Sequence, residues 1–285
     1  MPRVTIDVAA SVLRGGGIAA FPTETVYGLG ADAMNPEAIA RVFAAKGRPT
    51  THPLILHARD PEAYAYFDAR ARALARFWPG PLTLVLPRRP HVPDALTGGR
   101  DSVAVRMPAH PVALALIDAV GHPLAAPSAN RFGGISPTTA DHVLAAFPDV
   151  PVLDGGPCAV GVESTIVDLT GPIAAILRPG AISAADLDVP LGIAQDTAAP
   201  GTLPVHYAPT TELIVADDAD ELAASLPGRV GIIRASAPHD YARRLYAELR
   251  ALDGACDVIV AEWAPDHGIG LAVNDRLRRA SARYA

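Results

Sequence analysis

Apolar positions along the chain fall into short runs separated by polar stretches, and their spacing predicts an alternation of helices and strands. Residues 7 to 14 (DVAASVLR) repeat at the helical period and meet a stop at Gly15, Gly16 and Gly17, after which Ile18 to Phe21 form a short buried strand. Asn35-Pro36 supplies an N-cap with proline at the first helical position and opens a helix that runs to about Lys46. Strands are expected at Leu54 to His57, Leu82 to Leu86, Val103 to Met107, Leu124 to Ala126, Val152 to Leu153, Thr165 to Leu169 and Ala174 to Leu177. Helices are expected between several of them, at 61 to 77, 111 to 120 and 138 to 147. This order predicts an α/β fold, with a mixed sheet because some strands have no helix between them.

The pattern changes after residue 190. Pro190, Gly192, Pro200, Gly201, Pro204 and Pro209 interrupt a stretch with little apolar periodicity, as in a stiff linker. Strands are then expected at Leu213 to Ala216, Val230 to Arg234 and Val258 to Glu262. Helices are expected at Ala219 to Leu226, Tyr241 to Leu252 and about 269 to 283. The expected organisation is therefore a first domain over 1–190, a linker over 191–209 and a small βαβαβα domain over 210–285.

Composition narrows the function classes. The chain has 285 residues, half of them hydrophobic and 19% charged, which supports a buried core and excludes a disordered chain. A formal net charge of −6 removes the broad basic footprint of a general nucleic-acid binder, so any tRNA contact must be local and weak. No apolar run reaches the length of a membrane span, and Asp7 and Arg14 interrupt any signal-peptide core, so the expected location is the cytoplasm, away from membranes. Cys158 and Cys256 lie too far apart for a disulfide framework or a zinc motif and are expected to be core thiols. Lys46 is the only lysine in a chain that otherwise uses arginine, and a compact ammonium can do chemistry that a guanidinium cannot.

Common nucleotide signatures do not account for the chain. It has no P-loop. Gly28, Gly30 and Ala33 satisfy G-x-G-x-x-A, but Pro22 to Thr25 separate them from the preceding strand, which a dinucleotide turn does not allow. Gly268-Ile269-Gly270 lacks the full spacing. Lys46-Gly47-Arg48-Pro49 admits two readings: a helix C-cap with favourable cations, or, together with His57, a cationic cluster suited to a polyphosphate. Ala126-Pro127-Ser128-Ala129-Asn130 is either an ordinary strand exit or a set of neutral donors and acceptors at a strand's carboxyl end. Further polar exits at Thr23 to Thr25, at Ser102 with Arg106 and at Glu163 to Thr165 suggest that several strands end on one polar edge.

FPTETVYGLGADA (21–33), KGRPTTHPLILH (46–57), FWPGPLTLVL (77–86), SVAVRMP (102–108), APSAN (126–130), SPT (136–138), ESTIVDL (163–169) and LRPG (177–180) together resemble the YrdC/Sua5 family over residues 10 to 209. The linker ending in His206-Tyr207-Ala208-Pro209, with the GLAVNDRLRRAS helix after it, resembles the longer Sua5 type. The resemblance implies a YrdC-like twisted mixed sheet with a concave cavity, followed by a Rossmann-like domain. It also implies the synthesis of threonylcarbamoyl-adenylate and pyrophosphate from L-threonine, bicarbonate and ATP with Mg²⁺. The product feeds a downstream transferase complex that makes the t6A modification of tRNA.

By the same resemblance Lys46, Arg48, Ser128 and Asn130 match the family's K-x-R and S-x-N set and are the candidate catalytic residues. Arg48, His52, Ser102, Ser128, Ser136, Arg178, His206 and Tyr207 fall at ATP-contacting positions, and Thr25, His57, Arg106, Ala126 and Ser164 at positions that hold threonine. No protein side chain is expected to ligate the metal, which the ATP phosphates hold. Two departures stand out: His52 replaces a more usual asparagine, and Pro204-Val205 replace a more usual Tyr-Arg, which reduces the linker's aromatic cover. The alternatives are an RNA-binding maturation factor without turnover and a carbamoyl-adenylate transferase module of the kind found in larger enzymes.

Overall fold

The computed structural model describes residues 3–192 and 205–283. Eight strands form the first sheet: β1 (Ala19–Phe21), β2 (Gly28–Asp32), β3 (Ile55–His57), β4 (Leu82–Pro87), β5 (Ser102–Arg106), β6 (Leu124–Ala125), β7 (Thr165–Asp168) and β8 (Ala175–Arg178). Their spatial order is β1-β2-β6-β3-β5-β4-β7-β8. The pairs β3/β5 and β4/β7 are parallel and the others antiparallel, so the sheet is mixed, as expected. Helices α1 (Ile6–Arg14), α2 (Pro36–Lys46), α3 (Ala69–Leu74), α4 (Asp94–Thr97), α5 (Pro111–Val120), α6 (Ala140–Ala146) and α7 (Ala184–Leu187) surround it.

Local chemistry explains the boundaries of α2. Asn35 Oδ1 accepts from the amides of Glu37 and Ala38, Pro36 takes a position that needs no amide donor, and Gly47 ends the helix at φ 66°. Its buried face (Ala38, Ile39, Val42 and Phe43) joins the main core with Leu54, Leu84 and Val105. That packing fixes the place where Lys46 and Arg48 leave the helix.

Two expectations are corrected. The glycine-spaced segment, already excluded as a dinucleotide turn and given no element by the sequence, is β2, buried throughout, and a Cβ at Gly30 would lie 2.6 Å from Phe21 Cε1 of the paired strand. The glycines there make room for a ring. The helix expected over 61 to 77 shrinks to α3 between two 3-10 turns, because Tyr66 donates to the Pro87 carbonyl and Ala65 bridges to Arg88. In place of the strand expected at Val152 to Leu153 there are single bridges from Val152 to Arg3 and Ala20.

The second sheet is parallel in the order β10-β11-β9, built from β9 (Glu212–Ala216), β10 (Val230–Ile233) and β11 (Val258–Glu262), with α8 (Ala219–Ser225), α9 (Pro238–Leu252) and α10 (Gly270–Ser281). Gly192 still pairs with Ala174 of the first unit. Residues 193–204, including Pro204, lie outside the described residues. Val205 is exposed, whereas His206 and Tyr207 are buried. The second apolar core joins Leu213, Tyr241, Leu245 and Leu277 to Val26, Ile135 and Val162 of the first unit and to Tyr207, so apolar packing runs across the junction. Cys158 is buried, Cys256 half-buried, and both are free thiols. Among the described residues no helix is long and apolar enough to cross a membrane.

Candidate active site

Strand ends converge on one cavity. Thr25 follows β1, Ile55 and His57 lie on β3, Arg106 ends β5, Ala126, Pro127 and Ser128 follow β6, Glu163 and Ser164 precede β7, and Arg178 ends β8. Arg48, beyond α2, and His206 and Tyr207, on the segment leading to β9, complete the wall. Ten sequence-predicted residues thus share one hollow: Thr25, Arg48, His57, Arg106, Ala126, Ser128, Ser164, Arg178, His206 and Tyr207.

The remaining candidates stand outside the lining. Lys46 Nζ donates to the carbonyls of Ser128 and Asn130 at 2.6 and 2.5 Å, so it braces the loop that carries Ser128. Asn130 Nδ2 donates to the carbonyls of Arg131 and Gly134, while its buried Oδ1 has no partner among the described residues. Ser136 Oγ donates to Glu163 Oε1 at 2.5 Å. His52 is half-buried with its ring 5.6 Å from that of Phe132, and Ser102 opens β5 opposite Pro87.

Arg106 ties three segments together at the cavity. Its Nε donates to the Gly80 carbonyl at 3.1 Å, Nη1 to Thr25 Oγ1 at 3.0 Å and Nη2 to Glu24 Oε1 at 2.6 Å. A guanidinium has five N–H groups, so among the described residues each terminal nitrogen has a further N–H beyond these bonds. Ser164 Oγ pairs with Thr83 Oγ1 at 2.8 Å and accepts from Arg178 Nη2 at 3.1 Å. Arg48 Nη2 donates to the Pro53 carbonyl at 3.0 Å and its guanidinium lies 5.8 Å from the centroid of the Phe132 ring. Burial pushes Arg48 down to about 10, which still leaves it charged at neutral pH. Burial, reinforced by Arg48 and Arg131, pushes the Lys46 ammonium well below its usual range.

Glu163, legible in the sequence as part of a polar exit and of the ESTIVDL stretch but not as a site residue, contributes a carboxylate to the cavity lining. Burial pushes its pKa up, but Arg276 and Arg178 outweigh that and hold it at about 2. Its Oε2 accepts from Arg276 Nε and the Tyr246 hydroxyl, both at 2.9 Å and both from the second unit. The local cue was an acidic residue directly before Ser164; its partners are not local.

Burial also pushes His57 and His206 down to about 3. An unfolded imidazole titrates near 6.5, so between pH 6.5 and 3 the unfolded chain binds more protons and stability rises with pH. These contributions are complete above pH 6.5 and are lost on acidification. Each histidine is expected to cost about 2 kcal/mol between pH 7 and 5. Urea unfolding at the two pH values measures this, and an unchanged midpoint would contradict the buried neutral imidazoles.

The family model for Sua5, YciO and YrdC, described as telomere recombination, matches residues 11–180, and that for the threonylcarbamoyl-AMP synthase C-terminal domain matches 173–282. A threonylcarbamoyl-AMP synthase of Pyrococcus abyssi is 42% identical over 97% of this chain and 94% of its own. That of Bacillus subtilis is 38% identical over 97% and 92%. The crystal structure of P. abyssi Sua5 complexed with L-threonine superposes with a TM-score of 0.89 at 41% identity, covering 98% of this chain and 96% of that one. The chain therefore belongs to the Sua5/YciO/YrdC family, in the form that carries the Sua5 C-terminal domain.

Proposed function

We propose that this chain is a threonylcarbamoyl-AMP synthase, which converts L-threonine, bicarbonate and ATP into threonylcarbamoyl-adenylate, pyrophosphate and water. The observation that carries this is the sharing of one cavity by the Arg106–Thr25 pair and by Arg48 and Arg178. The first pair suits an amino acid and the two arginines suit a triphosphate. The Arg106 guanidinium suits the threonine carboxylate, and Thr25 and Ser164 offer hydroxyls to the threonine side chain.

Threonine's amine, once carboxylated, presents a carbamate oxygen to the α-phosphorus, and pyrophosphate leaves. Arg48 and Arg178 neutralise charge on the phosphates and Ser128 bonds their oxygens, so the protein acts by positioning and electrostatics and needs no nucleophile. Lys46 and Asn130 act by holding the Ser128 loop. Mg²⁺ enters on the triphosphate. Among the described residues, the one lining carboxylate, Glu163, is already bonded to Ser136, Tyr246 and Arg276, and the acidic group spaced for a cation, Asp218, Asp220 and Glu262, belongs to the second unit.

The product goes to a tRNA-modifying transferase that installs t6A, and the site of synthesis is the cytoplasm.

The test is pyrophosphate release from MgATP. It is expected only when threonine and bicarbonate are both present, and valine should not replace threonine because the hydroxyl partners would be left unpaired. Release that ignores threonine would overturn the assignment.

A further inference from the structure

One guanidinium of the second unit reaches into the wall of the first unit's cavity. Arg276, on α10, is 1% exposed; it donates from Nε to Glu163 Oε2 and from Nη1 to the Pro179 carbonyl, each at 2.9 Å. Both acceptors are chain neighbours of lining residues: Glu163 precedes Ser164 and Pro179 follows Arg178. Those two residues bond each other, Arg178 donating from Nε to the Ser164 carbonyl and from Nη2 to Ser164 Oγ, both at 3.1 Å.

The two segments are also pressed together. A Cβ at Gly180 would stand 2.2 Å from the Thr165 nitrogen and 2.6 Å from the Ser164 carbonyl carbon. Backbone contact and the Arg276 bridge thus act on the same spacing. Arg276 is itself held, by Asp275 Oδ2 at 2.9 Å and against the Tyr207 ring at 5.2 Å. A buried ion pair adds little net stability compared with apolar packing, so what this arrangement secures is geometry.

We propose that Arg276 is a positioning residue: by tying Glu163 to Pro179 it sets the separation of Ser164 and Arg178 and so aligns the amino acid with the nucleotide. This rests on the function proposed above, in which Ser164 meets threonine and Arg178 meets the triphosphate. The second unit thereby takes part in the reaction without touching either substrate.

Arg276→Met alone would strand a buried carboxylate, so the decisive protein is the full-length double variant Glu163→Gln/Arg276→Met, which removes both halves of that ion pair. Calorimetric threonine stoichiometry counts folded sites, and turnover is expressed per site. Half-saturating threonine and ATP concentrations are expected within about threefold of wild type while turnover per site falls about tenfold or more, since a misplacement of about 1 Å can cost about 10²-fold. Arg276→Lys keeps a cation but lacks the planar fork that spans two acceptors, and is expected to share the loss. Glu163→Gln alone retains an acceptor for Nε and should lose less than the double variant.

Wild-type turnover per site in the double variant, restoration by lysine, or an equal loss in Glu163→Gln overturns the positioning role. Loss of threonine binding by both the double and the lysine variants assigns Arg276 to folding and overturns it too. A wild-type chain whose pyrophosphate release ignores threonine strikes instead at the proposed function.

Discussion

Arg48→Ala is expected to lower threonine-dependent pyrophosphate release by about 10²-fold or more, the loss typical of removing a preorganised charge from a water-poor site. Arg48 is 8% exposed, lines the cavity and stays protonated at neutral pH despite burial. Its bond to the Pro53 carbonyl and its place against Phe132 aim the guanidinium without consuming all its donors. Charge that gathers on the phosphates as pyrophosphate leaves would meet it there. Arg48→Lys should restore little, because an ammonium cannot keep the carbonyl bond and present a planar fork together. Lys46→Ala is expected to cost a similar factor by another route: the ammonium bridges the Ser128 and Asn130 carbonyls, so its loss frees the Ser128 loop. Single-turnover rates at saturating substrates measure both effects, and near-normal rates in both variants would remove the phosphate role.

The sequence carried most of this site where the determinants are local. The Asn35 cap, the proline after it and Gly47 mark both ends of α2, which places Lys46 and Arg48. Polar strand exits identified the edge where Thr25, Arg106, Ser128 and Ser164 meet. Reasoning from residues failed where partners distant in the chain decide the structure. β2 is a strand because its glycines clear the Phe21 ring, which no periodicity rule records. Residues 64–67 leave the helical pattern because the exit of β4 captures Ala65 and Tyr66. Glu163 found its partners 83 and 113 positions away, on α9 and α10.

The junction between the two units is expected to be most sensitive at Gly161. Its φ is +87°, and an added Cβ would lie 2.3 Å from the Ala242 carbonyl oxygen and 2.4 Å from Arg243 Cα, both backbone atoms of α9. A helix backbone cannot yield as a flexible side chain does, so Gly161→Ala has to push α9 or the 160–161 segment away. That segment is bonded to the carbonyls of Glu24 and Thr25, and Tyr246, which holds Glu163, stands one turn beyond Ala242 on α9. Displacement in either direction disturbs the cavity wall. Overpacking costs about 1 to 3 kcal/mol and an unfavourable φ about as much again, so a loss of about 3 kcal/mol or more is expected, together with reduced threonine-dependent turnover. Gly156→Ala is the matched control: its φ is +79°, but nothing lies within 4 Å of the added methyl, so it should show the backbone strain alone. Urea midpoints of the two variants measured side by side isolate the contribution of α9. Equal midpoints would mean that the helix does not sit against Gly161, and the route from the second unit to Glu163 would go with it.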